Sequence, residues 1–148
     1  MKVVPCALAA AAVVAAAGCG GSNRLSKQDF TTKADGICSN YNAKIKGALT
    51  NVGNDPAAIA AAVDKTIELI DQAQKEFKKL EPPKALDAKW KEWERINDDQ
   101  VSTAKQLSAA ARKKNETAFN SALAKLDSQS KDSNRIAGEM GLKSCAES

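Results

Sequence analysis

The side chains with most scope for covalent chemistry are four cysteines, Cys6, Cys19, Cys38 and Cys145, in a chain of 148 residues that contains no histidine. A thiol can be acylated, joined to a second thiol, or made nucleophilic by a base or cation that lowers its pKa. No two of these cysteines form a Cys-x-x-Cys pair, so redox cycling is not expected. The absence of histidine removes the commonest general base and metal ligand, and no serine sits in a glycine-flanked elbow. Metal binding would fall to carboxylates alone. Asp98-Asp99 and Glu92/Glu94 are adjacent or near neighbours, which diverge on a helix, unlike the i, i+3 and i, i+4 pairs of di-iron bundles. Glycine loops that cradle phosphate are missing, and the sequon-like Asn115-Glu116-Thr117 reads as a helix N-cap. No catalytic residue, metal site or cofactor is assigned, and catalysis is not expected.

Cys19 ends a distinctive N-terminal segment. Lys2 is followed by an Ala-rich apolar run, Val3 to Ala17, interrupted early by Pro5 and closed by Gly18 before Cys19 and Gly20-Gly21-Ser22-Asn23. A basic start, a short apolar stretch and small residues at its end predict a signal peptide, and the run falls short of the roughly 20 residues that a membrane span needs. Ala16-Ala17-Gly18-Cys19 resembles the lipobox of bacterial lipoproteins, in which a branched aliphatic and two small residues precede the cysteine that becomes the lipidated N-terminus. Ala16 stands where that family usually has Leu. The resemblance implies that residues 1–18 are removed, that Cys19 carries fatty-acyl chains such as palmitate, and that residues 19–25 form a flexible tether. Each buried methylene contributes about 0.8 kcal/mol, so two or three chains would hold the protein on a bilayer. The competing reading, an ordinary secretory signal cut near Ala17, leaves a soluble product with Cys19 unpaired. Both place the protein outside the cytoplasm; the first anchors it to the outer leaflet of the cell membrane or the cell envelope.

Loss of residues 1–18 leaves 130 residues with 21 basic and 18 acidic side chains, enough for one domain with a real core. Lysines alternate with Asp and Glu rather than forming a basic stripe with interleaved aromatics, so nucleic acid is not an expected partner. Cys38 and Cys145 remain as an even pair, and in an exported chain a disulfide between them is expected. A straight reading of helix lengths leaves the two at heights about 27 Å apart, so Gly141 must turn the chain back and unequal helix starts or loop heights must supply the rest.

Four segments have helical periodicity. The first opens at Ser26 with Asp29 three residues on, and its apolar face runs through Phe30, Ala34, Ile37, Tyr41, Ile45 and Ala48. The second starts at Asp55-Pro56, carries Ile59, Val63, Ile70, Ala73, Phe77 and Leu80, and stops at Pro82-Pro83. The third buries Leu86, Trp90, Trp93, Ala104, Leu107 and Ala111, with Ile96 and Val101 at its edges, and closes at Arg112-Lys113-Lys114. The fourth begins near Asn115, buries Phe119, Ala122, Leu126, Ile136 and Met140, and ends at Gly141. Strand signals are absent. Short connections between helices of similar length predict an all-α, up-down-up-down antiparallel four-helix bundle over residues 26–148, stapled by one disulfide.

Carrying each apolar rhythm through its middle places Thr66, Asn97, Gln100, Gln129 and Ser133 on the inner seam at similar heights, with Tyr41 nearby. A polar layer of this kind serves either as a bonded or watered core layer that sets register, or as a pocket for a small polar or amphipathic ligand walled by Trp90, Trp93 and Phe77. For the tryptophans, core packing beside the diproline turn is the favoured role.

The mature region also resembles small, mostly helical exported lipoproteins of actinobacteria, through Ala34-Asp35-Gly36-Ile37-Cys38, Leu80-Glu81-Pro82-Pro83 and Gly141-Leu142-Lys143-Ser144-Cys145. That resemblance implies export, a helical fold and the cystine, and transfers no activity. The expected function is a lipid-anchored, non-catalytic envelope module that engages the membrane through Cys19 and an envelope protein or the wall through a helical face. A ligand-binding bundle using the polar layer is the alternative.

Overall fold

The computed structural model describes residues 24–147; the expected signal peptide, Cys19 and most of the expected tether lie outside the described residues. Four helices carry the fold: α1 (Lys27–Leu49), α2 (Pro56–Phe77), α3 (Asp87–Arg112) and α4 (Glu116–Met140), with a 3-10 turn at Lys84–Leu86 before α3. No strand occurs among the described residues, and no described helix is long and apolar enough to cross a membrane.

The helix starts follow from their caps. Ser26 Oγ accepts from Asp29 N at 3.1 Å, Asp55 Oδ2 from Ala58 N at 2.9 Å, and Asn115 Oδ1 from Ala118 N at 3.0 Å, each satisfying an amide with no partner inside the helix. At the other end of α4, Gly141 takes φ 88°, which a side chain disfavours, and the Leu142 amide donates back to Ala137 O at 2.9 Å. α2 ends earlier than its apolar stripe: the chain leaves the helix at Phe77, and Leu80 is half-buried in the turn before the prolines. α3 correspondingly begins at Asp87, with Leu86 buried in the 3-10 turn.

Neighbouring helices are antiparallel. Gln74 bonds Asp98 and Asp64 bonds Ser108 between α2 and α3; Lys89 pairs with Glu139, Asn97 with Ser133, and Gln100 with Ser130 between α3 and α4. α1 packs on α2, α2 on α3 and α3 on α4, whereas α1 and α4 scarcely approach each other directly. Residues 142–147 intervene. Asp35 on α1 accepts from the amides of Lys143 and Ser144, and Asn42 Nδ2 donates to Ser144 O. On the α4 side, a Cβ on Gly138 would lie 3.9 Å from Ala146 Cβ. Leu142 and Cys145 are almost wholly buried in this seam.

Cys145 is bonded to Cys38, with Cα atoms 5.1 Å apart and 107 residues between them in sequence. The height mismatch is absorbed as expected by the reversal at Gly141, together with an offset of the helices: a Cβ on Gly141 would lie 3.9 Å from Thr31 Cγ2, one turn below the start of α1. The tail then descends alongside α1 to Cys38.

The core is divided unequally. A large cluster fills the end holding the helix N-terminus of α1, the diproline turn and the tail, which we call the upper end; it includes Phe30, Phe77, Trp90, Trp93, Ile136 and Met140. Trp90 stacks on Trp93 with centroids 5.0 Å apart and meets Phe30 and Phe77 edge-on. Toward the opposite end only Ile67, Val101 and Ala104 form a buried cluster, flanked by half-buried Val63, Ile70 and Leu126.

Candidate functional site

Below the tail, where α1 and α4 have no spacer between them, the helices enclose a cleft of about 1000 Å³. This is at the upper end of the size of small-molecule sites, roughly 300–1,000 Å³. All four helices line it.

Its roof is Phe77, Ala73, Trp93 and Cys38. Beneath lies a polar tier. Asn97 Nδ2 donates to Trp93 O at 2.7 Å and to Ser133 Oγ at 3.4 Å, and Gln100 Nε2 donates to Ser130 Oγ at 3.1 Å. Tyr41 borders the tier but turns its hydroxyl to Glu76 Oε1 at 2.7 Å, a hydrogen bond that pushes the phenol pKa above its ordinary value, with burial adding to the shift. Thr66 closes its hydroxyl on Ala62 O, one turn back on its own helix, at 3.0 Å. One and two turns beyond the tier the lining turns aliphatic: Ala104 and Leu107 on α3, Leu126 and Leu123 on α4, Val63 on α2 and Ile45 on α1. Among the described residues Leu49 and Leu123, exposed by 49% and 50%, are the large apolar side chains left most open, and both line the cleft.

Of the six residues predicted for the layer, Tyr41, Thr66, Asn97, Gln100 and Ser133 line this one cavity. Gln129 does not. It is half-buried off the lining, with Oε1 buried and without a hydrogen-bond partner, and Ser130 occupies the inner position instead. A single residue along a helix rotates the side chain by about 100°, enough to move it off a seam. The expected wall also needs correction: Trp93 and Phe77 line the cleft, while Trp90 is packed in the upper core away from it. Sequence reasoning missed Ser130, Asn134, Leu123 and Leu49. Ser130 lies four residues past Leu126 and three before Ser133, the same rhythm taken in the other order.

Charged lining residues sit around the edge: Lys46, Lys78, Asp98 and Glu147 are exposed and Glu94 is half-buried. Burial, reinforced by Asp98, pushes the Glu94 carboxyl above its ordinary pKa, against the opposing pull of Lys78 and a hydrogen bond from Trp90. The Trp93 indole N–H is buried without an acceptor. Buried indole N–H groups normally find one, so this donor is an exception, closed off from the cleft as well as from solvent. Among the described residues no three His, Cys, Asp or Glu side chains gather into a metal-binding group.

No known protein family model matches this chain, and neither a curated protein nor a solved structure shows significant similarity to it.

Proposed function

We propose that the protein is an exported bacterial lipoprotein, held to the cell envelope by acyl chains on Cys19, whose helical domain binds a small amphipathic molecule without transforming it. The observation that carries the binding reading is the cleft: an apolar cavity with a few convergent amides and hydroxyls is the usual form of a small-molecule site. A core layer serving only to fix register would close on itself, whereas here Asn97, Gln100, Ser130 and Ser133 face a volume that no side chain fills. The signal-like N-terminus supports export, and the Cys38–Cys145 bond agrees with an oxidising compartment.

The half-exposed Leu49 and Leu123 favour a second reading, in which an envelope protein docks across the mouth of the cleft. Thermal unfolding of the purified domain with and without extracted envelope lipids separates the two. Ligand binding raises the midpoint with lipid concentration, as mass action requires, and Val63→Trp, which places an indole in the open volume, removes the rise. A midpoint unmoved by every lipid fraction refutes the ligand reading. The anchor is tested by mass spectrometry of the native N-terminus: an acylated Cys19 is expected, and a chain beginning at Met1 refutes export.

A further inference from the structure

The lining specifies the charge of the occupant. We infer that the cleft takes an uncharged single-chain amphiphile, its hydroxyl, ester or amide group at the polar tier and its aliphatic chain in the compartment below; this rests on the ligand-binding reading above.

Three observations point the same way. First, the tier is neutral throughout: Asn97, Gln100, Ser130 and Ser133 offer amides and hydroxyls, which can donate and accept. Second, the cations on the lining are spent at the rim. Lys46 and Lys78 are exposed to water, and Lys78 acts on the half-buried Glu94 beside it. A carboxylate or phosphate at the tier would lose its hydration and meet no cation, and the ionisable groups that α3 contributes to the lining, Glu94 and Asp98, are acidic. An ammonium would fare little better, since no carboxylate lies on the inner tier. Third, below the tier the inward lining is aliphatic, with Lys46 and Thr50 at the end of α1 exposed at its edge. Gln100 and Leu107 on α3, like Ser130 and Leu123 on α4, are seven residues apart, so the aliphatic compartment extends roughly 10 Å below the tier before it opens between Leu49 and Leu123. This suits one chain with one polar group.

The test compares a monoacylglycerol with the fatty acid of the same chain length, below their aggregation limits, by titration of the folded, oxidised domain and by Trp93 fluorescence. The monoacylglycerol is expected to bind, with affinity rising about three- to fourfold per added methylene while the chain stays inside. At neutral pH the ionised acid is expected to bind about tenfold or more weakly, and the gap to close as acidification neutralises it. Gln100→Leu should narrow the difference between the two probes, and Val63→Trp should abolish binding of both. If the acid binds as tightly as the glyceride at neutral pH, the charge assignment is overturned while the cleft remains a ligand site; if neither binds, both readings fall.

Discussion

The two ends of this bundle are built from similar helices and reach opposite outcomes. At the upper end four aromatic rings, Met140, Ile136 and the returning tail fill the space between α1 and α4, and a cystine locks them there. Toward the lower end the same four helices lack a filler, and three small or branched residues with a few half-buried neighbours are the whole buried cluster. Helix pairs are held there by polar contacts instead, such as Asp64 with Ser108 and Arg112. An antiparallel bundle need not close around its full girth: six residues of tail decide where it is a core and where it is a container.

The largest expected effect is at the crowded end. Trp90→Ala removes three ring contacts from a buried cluster and should cost about 3–5 kcal/mol in chemical denaturation. A much smaller loss would show that the upper end is as loosely filled as the lower. Replacing Cys38 and Cys145 together by alanine frees a long loop in the unfolded chain and should cost about 2–5 kcal/mol, with faster hydrogen exchange in the tail than in α3. Gly141→Ala forces a side chain into a left-handed backbone and should cost about 1–2 kcal/mol, although the added Cβ would meet Thr31 Cγ2 only at an ordinary contact distance of 3.9 Å.

Acid should act chiefly through surface pairs. Hydrogen bonds from Ser108 and Arg112 lower the Asp64 pKa, Arg24 lowers Asp87, and Lys89 with Arg135 lowers Glu139. The unfolded chain therefore binds more protons in acid. Their stabilisation is complete above the ordinary carboxylate range, about pH 4, and is lost as pH falls through the folded values. Glu94 runs the other way, because its raised folded pKa makes ionisation unfavourable to the native state. Glu94→Gln should raise the unfolding midpoint slightly at neutral pH and steepen its decline in acid. The smallest effect belongs to the open end: Leu123→Ser should change stability by no more than about 0.5 kcal/mol while weakening the lipid binding proposed above, which separates lining from core.

Much of the framework is legible in the residue string. Ser26, Asp55-Pro56, Asn115 and Gly141 mark helix ends because capping is local chemistry, and the even cysteine pair needs only a count and a compartment. The cleft is not legible in the same way. Val63, Thr66 and Ile70 repeat as a buried face would, and periodicity cannot distinguish a face pressed on a neighbour from one that walls a void. Nor does any local pattern announce that residues 142–147 stand between α1 and α4, since that depends on contacts more than a hundred residues apart. Gln129 and Ser130 differ by one position, and a 3.6-residue repeat leaves either of them able to face the seam.

Arg24 gives the arrangement a direction. Its guanidinium clasps Pro82 O and Asp87, and the Leu25 amide donates to Glu81 O, so the chain enters the bundle at the diproline turn. If Cys19 is embedded in a bilayer, the five residues to Arg24 reach at most about 18 Å, which keeps the aromatic end close to the lipid headgroups. The leucine-lipped mouth would then look outward, so a cargo would be exchanged with whatever lies beyond the membrane rather than with the leaflet underneath.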